Sequence, residues 1–163
     1  MNKSKIIVDS NGKLIIEDAN LLFGQYMNFS GRGSQYNREG DRNFNVIIDD
    51  PDAVNDLKEV GWNIKIRKPR DEQDDVLHYL KVNVSYRFRG PQIFLHIGKT
   101  TNELNEETVG MLDNADIISC DLVINPSHWE RPDGTSGISA YLETMHAVAK
   151  GDYFADKYAT EEV

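Results

Sequence analysis

The sequence predicts a mainly β fold, a small antiparallel barrel or sandwich with one or two short helices. Several stretches alternate apolar and polar residues with a period of two, most clearly residues 78–89. Clusters of Gly, Pro, Asn and Asp punctuate them, and helical spacing is confined to residues 51–60 and 105–112. One apolar face per strand favours antiparallel pairing, and 163 residues suffice for one hydrophobic core.

Taken in order, residues 5–8 read as a short strand and Asp9-Ser10-Asn11-Gly12 as a turn. Residues 14–29 read as one long or bent strand, bulged at Asp18-Ala19-Asn20 and kinked at Gly24. Residues 31–41 are polar and Gly-rich, hence a loop. In the next strand Phe44, Val46 and Ile48 share a face. Asp50 suits an N-cap and Pro51 the first helical position. Ala53, Val54, Leu57 and Val60 supply the helix's apolar stripe, and Gly61 ends it. Residues 62–67 alternate as a half-buried strand, and a charged loop occupies 69–75.

The clearest strand then places His78, Leu80, Val82, Val84, Tyr86 and Phe88 on one face. Tyr79, Lys81, Asn83, Ser85, Arg87 and Arg89 lie on the other. Gly90-Pro91 turns the chain into residues 93–97, its expected hairpin partner. Asn105 is placed to cap a short helix through Leu112, residues 117–125 form a strand, 132–137 a loop and 138–148 the last strand. Residues 1–150 read as a single domain and 151–163 as an acidic C-terminal tail. Strand count and size fit an OB-like barrel, and the pattern also accommodates a jelly roll or another sandwich.

The formal charge is −9 and the pI near 4.9, which excludes a globally basic nucleic-acid binder but not a locally basic one. Residues 61–100 hold eight Lys/Arg, with their four acids in one cluster, whereas residues 101–163 hold thirteen Asp/Glu and three Lys/Arg. Cys120 is the only cysteine, so there is neither a disulfide framework nor a Cys-based metal site, and its apolar neighbours mark it as a core residue. Three apolar residues after Lys5 are too few for a signal peptide, and no apolar run reaches membrane-spanning length. The expectation is a soluble intracellular protein that needs no membrane.

Catalysis finds little support. His78, His96, His128 and His146 have no metal-ligand spacing, and neither a Walker sequence nor a G-x-S-x-G is present. Asp49, Asp50 and Asp52, or the carboxylates of residues 71–75, are candidates for Mg2+ in a nuclease. Asp50 is already explained as a cap, and no His or Lys stands where it would complete such a site. The expectation is a non-enzyme with no cofactor and no metal.

Lys65, Arg67, Lys81, Arg87 and Arg89 form a basic stripe at strand spacing, as phosphates require. Flexible single strands also need aromatic faces for their bases, and Tyr36, Tyr79 and Trp129 fall on no core stripe. Arg32, Arg38 and Arg42 in the Gly-rich loop read as a mobile clamp, with Glu39 and Asp41 as competing partners. The plainer alternative is cations solvating an exposed sheet face. Binding is preferred because so many cations with few interleaved acids exceed what solubility needs. Phe44 and Trp62 belong to the core.

Residues 37–51, continuing through 57–65, resemble a group of small bacteriophage single-stranded DNA-binding proteins with an OB-like fold. Ser136-Gly137-Ile138-Ser139-Ala140-Tyr141-Leu142 is similar to the last barrel strand of that group, and the resemblance spans residues 14–148. It implies sequence-tolerant binding of single-stranded DNA in phage DNA replication or recombination, in the host cytoplasm. It transfers no contact residues, so the candidates above rest on strand faces and loops. Residues 152–162 are similar in charge to tails that recruit replication or recombination proteins, but are short and interrupted by Lys157 and Tyr158. The competing reading is a protein-interaction module that docks through its acidic half.

Overall fold

The computed structural model describes residues 3–68 and 76–151. They form strands β1 (Lys5–Val8), β2 (Leu14–Ala19), β3 (Leu21–Asn28) and β4 (Arg42–Ile47), then helix α1 (Pro51–Val60). Next come β5 (Ile64–Arg67), β6 (Leu77–Val84), β7 (Gln92–Ile97) and β8 (Thr100–Leu104). A 3-10 turn (Val109–Asn114) leads to the long strands β9 (Ile117–Glu130) and β10 (Ser136–Ala149). The ten described strands share one sheet in the order β1-β2-β9-β10-β6-β4-β3, with β5 on β6 and the β7-β8 hairpin on β10.

The β9-β10 hairpin is the spine, paired antiparallel from Ser136↔Glu130 to Ala149↔Ile117. β10 is long enough for two strands to share its other edge. β6 runs parallel to it at Ala140 and Tyr141, and β7 runs parallel to it from Thr144 to Ala149. Two expectations are thereby corrected: pairing is not wholly antiparallel, and β7 is not the hairpin partner of β6. β4 already covers one edge of β6, while β5 and β10 divide the other. Residues 85–91 therefore carry the chain past β6 to the vacant half of β10.

The bulge and the kink expected between residues 14 and 29 are both present. Asp18 has φ 52° and Gly24 φ 71°, with register shifts between Ile16 and Ala19 and between Leu22 and Met27. Asn20 alone separates β2 from β3, and its carbonyl accepts the Ile47 N–H at 2.8 Å. The hydrogen-bonded ladder ends at β1 and at β3, so the mainly β class holds while the described pairings do not close a barrel.

Helix α1 begins as its sequence dictates: Asp50 accepts the Asp52 N–H at 3.1 Å, Pro51 follows, and Gly61 at φ 121° returns its N–H to Leu57 and Lys58. Val54 and Leu57 are buried, but Val60 is 64 % exposed and leaves the predicted stripe. Asn105 does organise a turn, accepting the Glu107 and Thr108 N–H groups, but the following helix is a short 3-10 segment. Phe29 and Phe44, stacked at 5.0 Å, lie in a core built from the inward faces of the strands. Trp62 and Cys120 are buried with them, and burial, then the nearby Asp121 and Asp18, push the Cys120 thiol up to about 12. The charged loop at 69–75 and the tail from 152 lie outside the described residues.

Candidate nucleic-acid interface

Strand alternation decides which side chains of β6 meet solvent. Leu80, Val82 and Val84 are buried, so Tyr79, Lys81 and Asn83 occupy the outer face. Register extends each into a row across neighbouring strands: Ile47, Tyr79 and Lys65; Asn45 and Lys81; Asn43, Asn83, Tyr141 and Asn125. Asn83 ties two strands together by donating to the Ala140 carbonyl at 3.1 Å.

Two depressions meet at Asn83. The smaller, about 220 Å³, is lined by Lys65, Lys81, Asn63, Ser139 and Trp129. The larger, about 600 Å³, lies between the loop of residues 38–42 and the segment 84–87, with Tyr141 and Glu106 on its wall. A third hollow, about 310 Å³, continues beyond Trp129 toward His128 and Gly137. The outer face therefore carries a discontinuous polar track rather than an enclosed apolar pocket.

Its electrostatics are lopsided. Burial lowers the pKa of Lys65, and the neighbouring Lys81 lowers it further. Among the described residues no acid pairs with Lys65, Lys81, Arg38, Arg67, Arg87 or Arg89, whereas Lys13 meets Glu143, Arg32 meets Asp113 and Arg42 meets Glu106. Half-burying a lysine beside a second lysine opposes folding, and an anion placed between them removes the repulsion.

A family model described as "Putative phage ssDNA-binding domain" matches residues 3–162. The chain belongs to this family. Three solved structures of the single-stranded DNA-binding protein from bacteriophage Enc34 are similar in fold. The complex with ssDNA is 14% identical, covers 93% of this chain and 94% of its own, and has a TM-score of 0.53. The uncomplexed protein is 13% identical over 97% and 96% of the two chains, with a TM-score of 0.55. The C-terminal truncation is 12% identical over 93% and 94%, with a TM-score of 0.53. No curated protein matches the chain.

Within this phage ssDNA-binding domain the predicted residues are distributed unevenly. Lys65, Tyr79 and Lys81 lie together on the sheet face as expected. Arg67 closes β5 with its guanidinium 5.8 Å from the Tyr26 ring, and Tyr26 meets Tyr79 edge-on at 5.7 Å. Arg87 and Arg89 are not on the strand, because β6 ends at Val84; both lie on the following loop, where Arg87 reaches the larger depression. Trp129 is 37 % exposed, and its indole covers Gly137 so closely that a Cβ there would stand 2.6 Å from the ring. Arg131 stacks on that indole at 5.0 Å, presenting a guanidinium plane on which a base can stack in turn.

The clamp is corrected most. Residues 31–41 form a hydrogen-bonded hairpin: Ser34 and Asn37 bridge each other, and the Gly40 N–H donates to Gly31. Asn28 accepts the Gly31 and Arg32 N–H groups, while Asn37 donates to the Arg32, Arg38 and Asp41 carbonyls. Arg38 lines the larger depression, and Tyr36 stands 89 % exposed at the hairpin tip. Arg32 turns to Asp113 at 3.8 Å. Arg42 begins β4, 3.8 Å from Glu106 and over the Tyr86 ring at 5.4 Å. Glu39 and Asp41, the competing partners that the sequence offered, form neither ion pair.

Tyr141, Tyr26, Arg131 and Glu106 border this face without having been singled out from sequence, and Asn83, placed on it by alternation, was given no role. The alternation of Tyr141 with buried Ala140 and Leu142 was a usable signal for the first. The pairing of Glu106 with Arg42 spans 64 positions and leaves no local trace. Phe88, assigned inward by parity, is 97 % exposed because the strand stops four residues before it.

Proposed function

We propose that this chain binds single-stranded DNA along the outer face of β5, β6 and β10, without sequence selectivity, during phage DNA replication or recombination in the host cytoplasm. The observation that carries the reading is the Lys65–Lys81 pair, cationic, free of acids among the described residues, and sharing a depression with Trp129. Phosphates take those lysines together with Arg38, Arg87 and Arg89, while bases stack on Tyr79, on Tyr36 and on Trp129 once Arg131 yields its ring face or through the Arg131 guanidinium itself. Arg67 works through its contact with Tyr26, and Arg32 and Arg42 act mainly as braces because acids hold them.

The proposed architecture is an OB-like barrel. Asn20 passes the chain directly from β2, next to one end of the ladder, to β3 at the other, as a strand shared by both ends of a barrel would. Residues 1–150 would be the folded unit and 151–163 a tail that engages replication or recombination proteins. No catalysis is proposed. Asp49 holds Ser4 and Asn20, and Asp50 caps α1, so neither is free to serve a nuclease.

The test is fluorescence anisotropy of a labelled poly-dT oligonucleotide across a salt series, with duplex as competitor. Tight, salt-sensitive binding that duplex fails to displace is expected. No binding even at low salt would overturn the reading and leave a protein-interaction module.

A further inference from the structure

Phe88 stands between Arg87 and Arg89 at the tip of the loop of residues 85–90, where its ring is almost wholly in water. Its exposure follows from how the loop is anchored. The Arg87 N–H donates to Ser85 Oγ at 3.4 Å on one side of the tip. On the other, Gly90 seats so tightly on Tyr86 that a Cβ would lie 2.5 Å from the ring. Tyr86 in turn lies under the Arg42 guanidinium, 5.4 Å from it, and lines the larger depression. The phenyl ring is therefore displayed rather than stored.

What surrounds it selects the ligand. Neither flanking guanidinium meets an acid among the described residues. Ser85, Tyr86 and Arg87 form one bank of the 600 Å³ depression, with Phe88 and Arg89 next in the chain at its rim, and the opposite bank is the hairpin that carries Arg38 and, at its tip, Tyr36. An aromatic face between two unpaired cations beside a groove matches a nucleotide, with the base on the ring and its phosphates on the arginines. A protein contact would also accept an exposed phenyl ring, but it gives no reason for the paired unsatisfied cations.

Building on the single-strand reading above, we propose that Phe88 is a base-stacking residue. It captures one nucleobase of a strand lying in the groove between the two loops, with Arg87 and Arg89 on the flanking phosphates.

The test uses the full chain, with Phe88→Ala and Phe88→Trp each titrated with labelled dT oligonucleotide and with an abasic oligonucleotide of equal length. Phe88→Ala should weaken dT binding about tenfold, as expected for loss of one base stack, with abasic binding and the salt slope unchanged. Phe88→Trp should keep wild-type affinity and show added fluorescence quenched by dT but not by the abasic strand. A Phe88→Ala protein that binds dT like wild type, or loses equally on both oligonucleotides, overturns the proposal and leaves single-strand binding intact. A wild type that binds neither oligonucleotide removes the underlying reading and this one together. Unchanged dT binding with lost self-association in sedimentation would assign the tip to a protein contact and equally refute it.

Discussion

Replacing Lys65 and Lys81 together by alanine tests the proposed interface most directly. The two side chains share one depression, and the pKa of Lys65 is lowered first by burial and then by the neighbouring Lys81. No described acid neutralises either, so each should meet a phosphate at full charge. Single-stranded DNA gives about 0.7 in the log–log salt slope per phosphate neutralised, so the double variant should flatten the slope by about 1.4. Relative to a 1 M reference, that is about 25-fold weaker binding at ~0.1 M salt and about fivefold at ~0.3 M. Anisotropy with labelled dT at four or five salt concentrations reads both quantities. Stability should rise or stay level, since repulsion and desolvation are both relieved. An unchanged slope with weaker binding would mean that the lysines act other than through counterion release. Unchanged slope and affinity would place the DNA on another face.

Glu106→Gln should tighten dT binding by about two- to fivefold at low salt, because it frees the partly solvated Arg42 at the larger depression, and the gain should vanish at high salt. Lys65→Arg should remove a pH effect. Lys65 has its folded pKa below 10.5, so wild-type affinity falls as pH rises toward that pKa, whereas arginine stays charged. The linked stability term has a defined sign: the unfolded chain holds the proton more firmly, so Lys65 opposes folding at neutral pH. That penalty fades between the folded pKa and 10.5, which thermal melts across alkaline pH will show against Lys65→Arg. Asp113→Ala should cost about 2–3 kcal/mol in urea unfolding, since a carboxylate only 7 % exposed accepts the Phe29 N–H, the Ser30 N–H and the Ser30 hydroxyl. A loss under about 0.5 kcal/mol would show that water replaces those bonds freely.

Much of the fold was legible because its causes are local. The α1 boundaries follow from Asp50, Pro51 and Gly61, and the Asp18 bulge and Gly24 kink follow from residues that tolerate positive φ. The faces of β5 and β6 follow from alternation, which is why Lys65, Tyr79 and Lys81 were placed correctly. Alternation failed at Phe88 because apolar and polar residues keep their period for five positions after the last β6 hydrogen bond. Pattern reports composition, and a strand needs a partner edge. The loop arginines were misjudged for another reason. Their partners Asp113 and Glu106 come from a segment more than sixty positions away, so local charge counting pointed to Glu39 and Asp41.

Residue order alone suffices for the β class, the helix, the inward and outward faces of the central strands, the basic middle and the family resemblance. Periodicity, capping and charge act within a few residues, so they can be read from order alone. Tertiary structure decided which strands share β10, that β7 joins it in parallel, and which cations remain unpaired. It also brought Tyr141 into the row that holds Asn83, and Trp129 into the depression lined by Lys65 and Lys81. Those outcomes depend on which edges are vacant once the long β9-β10 hairpin has formed, and edge occupancy is a property of the assembled sheet, absent from any single strand.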